Sequence, residues 1–166
     1  MPVTPSIRPF IVDTIIDLLK AQFNDVFKAY YFGDPIMIPE SEMPCIVVFK
    51  KSGAVEFGYT GTDENTEEIY IQVVTNKKDE LGNPASEYAM QRQLMELVEG
   101  RDNTTGEYLD NSIMGVIRKN STFGNKIINQ VVRPEYIIDM RGNDTFTNEC
   151  SIRLEVTEIV PVSNRS

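Results

Sequence analysis

One stretch, from Pro44 to Asn76, constrains the fold more than any other, because it predicts two β-strands that face each other across a turn. The first strand, Cys45 to Tyr59, and the second, Glu67 to Asn76, are rich in the β-branched and aromatic residues that favour extended backbone. The residues between them, Thr60 to Thr66, are polar and turn-forming. The sequence therefore predicts a long β-hairpin at 44–76.

The first half of this hairpin has the pattern of a strand pair in the middle of a sheet. Successive side chains of a strand point to opposite faces. In the second strand, one face carries Ile69, Ile71 and Val73, and the other carries Tyr70, Gln72 and Val74. Strands that are apolar on both faces are typical of sheet interiors, so we expect this part of the hairpin to be buried.

The far half of the hairpin is too long for an ordinary strand. At ~3.3 Å per residue the first strand would reach roughly 50 Å, whereas typical strands have ~5–6 residues. Ser52-Gly53 predicts a bulge, since glycine tolerates the backbone angles that a bulge needs. Because a lone two-stranded ribbon is marginally stable in water, we expect the ribbon to leave the sheet and to be covered by another subunit. The alternative is a long, partly disordered hairpin loop.

The ribbon supplies the candidate residues of a subunit interface. Val55, Phe57 and Tyr59 line one side of the first strand beyond the predicted bulge. Two basic pairs, Lys50-Lys51 and Lys77-Lys78, flank the base of the hairpin. They are candidates for contact with an acidic neighbouring subunit or with phosphate; the alternative is ordinary surface charge.

The elements around the hairpin predict an α+β domain. Apolar residues at helical spacing predict an amphipathic helix over residues 7–24, with Ser6 as a candidate N-cap. Further elements are expected as follows: a short strand at Val26 to Phe32, a helix at 84–99 capped by Asn83, a short helix at 110–119, and strands within 127–160, the first of them an edge strand at 127–140 bent at Pro134. This order predicts one domain, with a mostly antiparallel sheet of four or five strands and helices packed on one face.

Composition limits the chemistry that the chain is expected to perform. It has no histidine, the commonest general base, and its two cysteines lie inside apolar strand patterns. Asp63, Glu64, Glu67 and Glu68 cluster near the hairpin turn, but their spacing is not that of a calcium loop. We therefore expect no enzymatic activity, no metal and no cofactor.

The charge and hydropathy of the chain also indicate where the protein is made and which partners it lacks. The formal net charge of −9 argues against tight nucleic-acid binding, which depends on neutralising phosphates. No apolar run approaches the ~20 residues of a membrane span, and the first residues lack the apolar centre of a signal peptide. The expectation is a protein made in the cytoplasm, with no membrane partner.

The order of elements resembles that of the tail terminator and tail-completion proteins of long-tailed bacteriophages. The segments that carry the likeness are PCIVVF (Pro44 to Phe49), IYIQVV (Ile69 to Val74), MQRQLMELV (Met90 to Val98) and SIRLEV (Ser151 to Val156). The likeness covers roughly Ile7 to Val160 and is one of pattern and length.

This resemblance implies an α+β virion subunit that assembles into a homohexameric ring. Such a ring caps the tail tube, stops its polymerisation and docks to the head connector in the neck of the virion, after assembly in the host cytoplasm. The implied partners are other copies of the chain, the tail tube protein and a head connector or neck protein, with DNA only as passing cargo. The family has no catalytic residues to carry over.

Three other interpretations remain open from the sequence. The first is another neck or head-completion protein of the same virion. The second is a small-molecule-binding or enzymatic α+β domain, which predicts a deep pocket with a perturbed carboxylate. The third is an oligomeric adaptor α+β domain of a cell.

Overall fold

The computed structural model describes residues 6–58, 61–76, 84–120, 122–123, 126–131, 134–141 and 146–162, and within them one helix is followed by three strands, two helices and four strands. The helices are α1 (Ile11–Phe23), α2 (Pro84–Glu99) and α3 (Ile113–Lys119). The strands are β1 (Ala29–Phe32), β2 (Cys45–Phe57), β3 (Thr62–Asn76), β4 (Thr122–Phe123), β5 (Lys126–Val131), β6 (Glu135–Met140) and β7 (Phe146–Pro161). Short 3₁₀ turns lie at Asn24–Val26 and Glu40–Glu42.

All seven of these strands belong to one sheet, in the order β1-β2-β3-β7-β5-β4, with β6 also paired to β7. Because β5 and β6 follow one another along the same edge of β7, and β4 has two residues, the sheet has five principal positions. β1 is parallel to β2, and the other pairs are antiparallel. The predicted α+β fold, with a mostly antiparallel sheet and a long β-hairpin, is confirmed.

The three helices pack on one face of the sheet, here called the helix face. Its core joins buried residues of the helices to alternate residues of β2, β3 and β7, among them Leu19, Ile46, Ile71, Val98 and Ile152. Each such side chain gains about 1.5–3 kcal/mol on leaving water. The opposite face carries a smaller apolar cluster, which includes Ile38, Met43 and Val47.

The first helix begins later than the predicted residue 7. It starts at Ile11, after Phe10, whose backbone is extended and whose N–H donates to the Asp13 carboxylate at 2.9 Å. The side chains of Ile7 and Phe10 are exposed, so the apolar stripe begins at Ile11. Pro9 precedes the helix, and a proline disfavours helical backbone in the residue before it. The predicted cap at Ser6 is therefore wrong.

Two other predicted elements are shorter than expected. Val26 belongs to a 3₁₀ turn, so the strand predicted from Val26 begins at Ala29. The short helix predicted from Asp110 begins at Ile113, because Ser112 is its N-cap and accepts the Gly115 N–H at 3.0 Å. The helix at 84–99 has the predicted bounds; its predicted cap, Asn83, lies outside the described residues.

The segment 127–140 was expected to be one edge strand bent at its proline. It forms two strands instead, with β5 ending at Val131 and β6 beginning at Glu135, just after Pro134. Proline has no N–H to donate to a ladder, which explains the interruption. Both strands still pair with β7, so the residues after the proline extend the same sheet edge.

Candidate functional site

The hairpin projects past the helices as an extension that we call the arm, residues 49–57 of β2, 62–68 of β3 and 153–161 of β7. The two hairpin strands pair as far as Phe57 opposite Asp63, so the turn is much shorter than the predicted Thr60 to Thr66. β2 is buried from Cys45 to Val48 and exposed from Lys50 onward. On β2 the arm therefore begins where the buried residues end, whereas on β7 the side chains of Leu154 and Val156, at the root of the arm, are still buried in the main core.

The arm is not the two-stranded ribbon expected from the sequence. β7 pairs with β3 along its whole length, from Asn76 opposite Thr147 to Thr62 opposite Pro161. β5 adds a further strand beyond β7, with Lys126 opposite Glu158. The expectation that the far end needs a second copy for its own stability is therefore wrong, since three or more strands support one another.

The outer edge of the arm lies on β2. β1 pairs only with Cys45 to Val48, and no other strand in the described part of the chain pairs with the outer edge of β2. Backbone groups from Phe49 to Glu56 therefore present an open strand edge. Such an edge is a template for pairing with another chain.

A bulge at Lys51, rather than at Ser52-Gly53, sets the faces of the arm. Lys50 pairs with Ile69 and Ser52 with Glu68, which leaves Lys51 as the extra residue. The Lys51 Nζ lies 5.4 Å from the centroid of the Tyr70 ring, a cation–π contact. Val55 is paired with Asn65, four residues from the core residue Ile69, and so lies on the helix face.

Glu68 ties the three strands of the arm together on the face away from the helices. Its carboxylate accepts Ser52 Oγ at 3.1 Å from β2, Tyr70 Oη at 2.9 Å from β3 and Arg153 Nε at 2.9 Å from β7. Hydrogen bonds to the charged form favour it, and they lower the pKa of Glu68, the Tyr70 bond most of all. The root of the arm is thereby held at a fixed position.

The predicted interface residues differ in their exposure and in the contacts that they already make within the chain. Val55 and Phe57 lie on the helix face of the arm, with 59% and 85% of their surface exposed. Lys50 lies on the same face but its Nζ already binds Glu67 of its own chain at 3.1 Å. Tyr59, Lys77 and Lys78 lie outside the described residues.

The arm is acidic. Its three segments contain seven carboxylates and three cations. The carboxylates are Glu56, Asp63, Glu64, Glu67, Glu68, Glu155 and Glu158. Ion pairs within the arm join Lys50 to Glu67 and Arg153 to Glu68. The arm thus carries an excess of negative charge, which repels phosphate groups.

A second exposed apolar surface, not predicted from the sequence, lies at the β6 edge of the sheet, beyond β7 from the arm's β2 edge. Ile138 and Met140 of β6 are 60% and 54% exposed, and Phe146, opposite Met140, is also exposed. Ile138 lies on the helix face, because Tyr136, two residues earlier, packs against the main core. The predicted single strand at 127–140 did not show which residues of β6 lie on the helix face.

A cleft of about 990 Å³ lies between α2 and the sheet end opposite the arm. Its described lining is mainly apolar and amide, with Met43, Met90 and Leu94, and includes the charged residues Lys28 and Glu40. Asn76 donates to the Glu40 carboxylate. Among the described residues, no cluster of His, Cys, Asp and Glu side chains has the arrangement of a metal site.

The comparisons with known proteins leave the family open. The chain matches none of the protein-family models and none of the curated proteins against which it was compared. Across the described helices, none is both long enough and apolar enough to cross a membrane. The candidate functional surfaces of the described chain are the arm and the exposed apolar residues of β6, Ile138 and Met140.

Proposed function

We propose that this chain is a tail terminator of a long-tailed bacteriophage, a structural virion protein whose copies form a ring on the tail tube. The observation that carries the proposal is the open outer edge of β2 on an arm that is folded within its own subunit. A projecting strand edge that has no partner strand in the described part of the chain can pair with a strand of another molecule. The other strand is proposed to belong to a second copy.

The arrangement of apolar surface favours a head-to-tail contact. Val55 is exposed at the β2 edge of the sheet and Ile138 at the β6 edge, so two different surfaces of one chain are available for contact. A contact between unlike surfaces closes into a ring when the rotation between copies permits it. This is the assembly that the resemblance to tail terminators implies.

The charge of the arm suits a ring through which DNA must pass without being held. Tight binding of DNA depends on Lys and Arg side chains that neutralise its phosphates, and the arm has an excess of carboxylates. If the arms surround the opening, their charge repels the DNA backbone and lets it slide. The tail tube protein and a head connector protein are the proposed neighbours along the tail axis.

The oligomeric state of the purified chain tests the first part of this proposal. Native mass spectrometry is expected to give a homo-oligomer, with six copies as the expectation from the resemblance. Val55→Asp should abolish it without changing the circular dichroism spectrum, because the new carboxylate lies at an exposed position. The control is Ile36→Asp, the same kind of change at an exposed apolar residue of the connector between β1 and β2.

A nonsense mutation in the phage gene that encodes the chain tests the role itself. Loss of a terminator should give tails of variable and excessive length, because nothing stops tube polymerisation. Loss of another neck protein should give tails of normal length that fail to join heads. Electron micrographs of normal, infectious virions would contradict both roles.

A further inference from the structure

The sheet has a second open edge that can meet the arm of another copy. In the described part of the chain, β6 pairs with β7 on one side and with no strand on the other. β2 and β7 are both antiparallel to β3, and β6 is antiparallel to β7. β6 therefore runs opposite to β2, so copies related by simple rotation bring these two edges together as an antiparallel pair.

Backbone direction decides which residues can be hydrogen-bonded across this contact. The Gly58 N–H donates to the Thr62 carbonyl at 3.0 Å, so Gly58 faces β3. Alternation along the strand then turns the N–H and C=O groups of Val55 and Gly53 outward. Because Thr62 faces β2, alternation along β3 and β7 turns Glu149 towards Ile137 of β6, so Met140 faces outward; its N–H donates to Asp139 Oδ1 at 2.8 Å. By the same alternation Ile138 also faces outward.

Three registers pair Val55 of β2 with an outward-facing residue of β6 in the antiparallel direction, and the charges of neighbouring residues favour one of them. Placing Val55 opposite Met140 of the next copy sets Glu56 against Asp139, and placing it opposite Tyr136 sets Glu56 against Glu135. Like charges directly opposite each other destabilise a strand pair. Placing Val55 opposite Ile138 avoids both conflicts and sets Glu56 against Ile137. It also joins two β-branched side chains that are exposed in the isolated subunit, 59% for Val55 and 60% for Ile138.

We propose that β2 of one copy pairs antiparallel with β6 of the next, with Val55 directly opposite Ile138. The inference rests on the proposed function, because it names the two surfaces by which the ring subunits meet. The contact continues one sheet into the next, so backbone hydrogen bonds supply its direction and the apolar pair on the helix face sets its register.

The contact also predicts a displacement between neighbouring copies. Val55 lies level with Glu158 of β7, whereas Ile138 lies level with Asn148. This offset along the strands corresponds to roughly 33 Å at the rise of a β-strand. A closed ring therefore requires strands that are steeply inclined to the ring axis, since closure links stagger to tilt. If the rotation does not close, the same contact builds a helical filament.

Cysteine cross-linking of the full chain tests the register. In V55C/I138C, mild oxidation should give a ladder of covalent oligomers, because directly opposite residues of a hydrogen-bonded pair have Cα atoms about 5.5 Å apart, within disulfide reach. V55C/M140C is the matched control. It should give roughly tenfold less cross-linking, because its diagonal partners lie ~7–8 Å apart. The native Cys45 and Cys150 are buried and stay in place as an internal control.

The possible outcomes distinguish failure of the strand contact from failure of the proposed ring. Oligomers by native mass spectrometry without a V55C/I138C cross-link overturn the register and leave the ring proposal standing. Cross-linking of V55C alone indicates a two-fold contact between β2 edges and overturns both. Cross-linked filaments in electron micrographs support the contact and overturn the ring. A monomer that forms no cross-link at high concentration overturns the contact.

A charge exchange provides a second test that does not depend on disulfide geometry. Val55→Lys and Ile138→Glu should each lower the association constant of the oligomer by roughly tenfold or more, because each places a charge opposite an apolar residue. The double variant should recover most of the association, since opposite charges across a strand pair attract. Recovery by Val55→Lys with Met140→Glu instead would overturn the Val55–Ile138 register.

Discussion

Arg141 binds Glu149 through both carboxylate oxygens, with Nε to Oε2 at 2.9 Å and Nη2 to Oε1 at 2.8 Å. The remaining donors of the guanidinium reach Asp34 Oδ1 at 2.5 Å, the Pro35 carbonyl at 2.7 Å and Gln72 Oε1 at 2.9 Å. All five N–H donors of the arginine are thereby used. The pair is buried on the face away from the helices and fastens the connector between β1 and β2 to the sheet.

We expect Arg141→Met to lower the free energy of unfolding by about 3–5 kcal/mol, because it leaves the Glu149 carboxylate buried without its partner. Urea denaturation monitored by circular dichroism measures the loss. R141M/E149M should lose less than the single variant, since an apolar pair of similar volume often replaces a buried ion pair at little cost. A single variant within 1 kcal/mol of the parent protein would contradict the expectation.

Both cysteines should be unreactive in the folded protein and should make its stability fall in alkali. Burial raises the pKa of Cys45 and of Cys150 from 9.0 to about 12. The raised pKa keeps the folded thiols neutral while the unfolded ones ionise, so their contribution is intact below pH 9 and is lost as pH rises from about 9 to 12. Between pH 8 and 10 the two thiols together would remove up to about 3 kcal/mol.

Urea denaturation at pH 8 and pH 10 measures this loss, and the C45A/C150A variant is the control. The variant should show a flatter pH dependence, even though its stability at pH 8 is lower. Rapid reaction of the native protein with a thiol reagent at pH 8 would show that these side chains are accessible, contrary to expectation.

The sequence predicted correctly those elements whose residues show a regular hydrophobic period. The first half of the hairpin and the bounds of α2 follow from alternation and helical spacing with clear start and stop residues. The length of β7 could not be predicted from hydrophobic alternation. Its helix face is apolar up to Val156, but Glu158 follows on that face and Ile159 lies on the other. Val156 is the last residue of β7 in the main core, so beyond it neither face needs to be consistently apolar.

Contacts between distant segments were also invisible in the sequence. Arg141 joins Glu149, eight residues away, to Asp34, which is more than a hundred residues distant. The bulge in β2 was predicted at Ser52-Gly53 because glycine tolerates the backbone angles of a bulge. The extra residue is instead Lys51, whose ammonium lies over the ring of Tyr70. The candidate interface was half predicted: Val55 and Phe57 were identified, but their proposed counterpart on β6 was not.

Gly115→Ala should destabilise the protein by about 3 kcal/mol, the upper part of the usual cost of overpacking. A Cβ atom at Gly115 would lie 1.9 Å from the Leu109 carbonyl oxygen, so the loop before α3 would have to move. Gly53→Ala is the matched control, because a Cβ there meets first the flexible end of Lys50 at 3.1 Å. Equal melting temperatures for the two variants would show that the loop yields easily.

The hydrogen bonds to Glu68 predict how the arm responds to acid. Because they lower the folded pKa of this carboxyl below 4.5, their stabilisation is present above that value and is lost as pH falls through the lowered pKa. Tyr70→Phe removes the largest cause and should raise the pKa most, while Ser52→Ala should raise it less. Titration of the Glu68 side-chain carbon by NMR measures both shifts. A larger shift in the serine variant would mean that the link from β2, and not the tyrosine within β3, holds the carboxylate in its charged form.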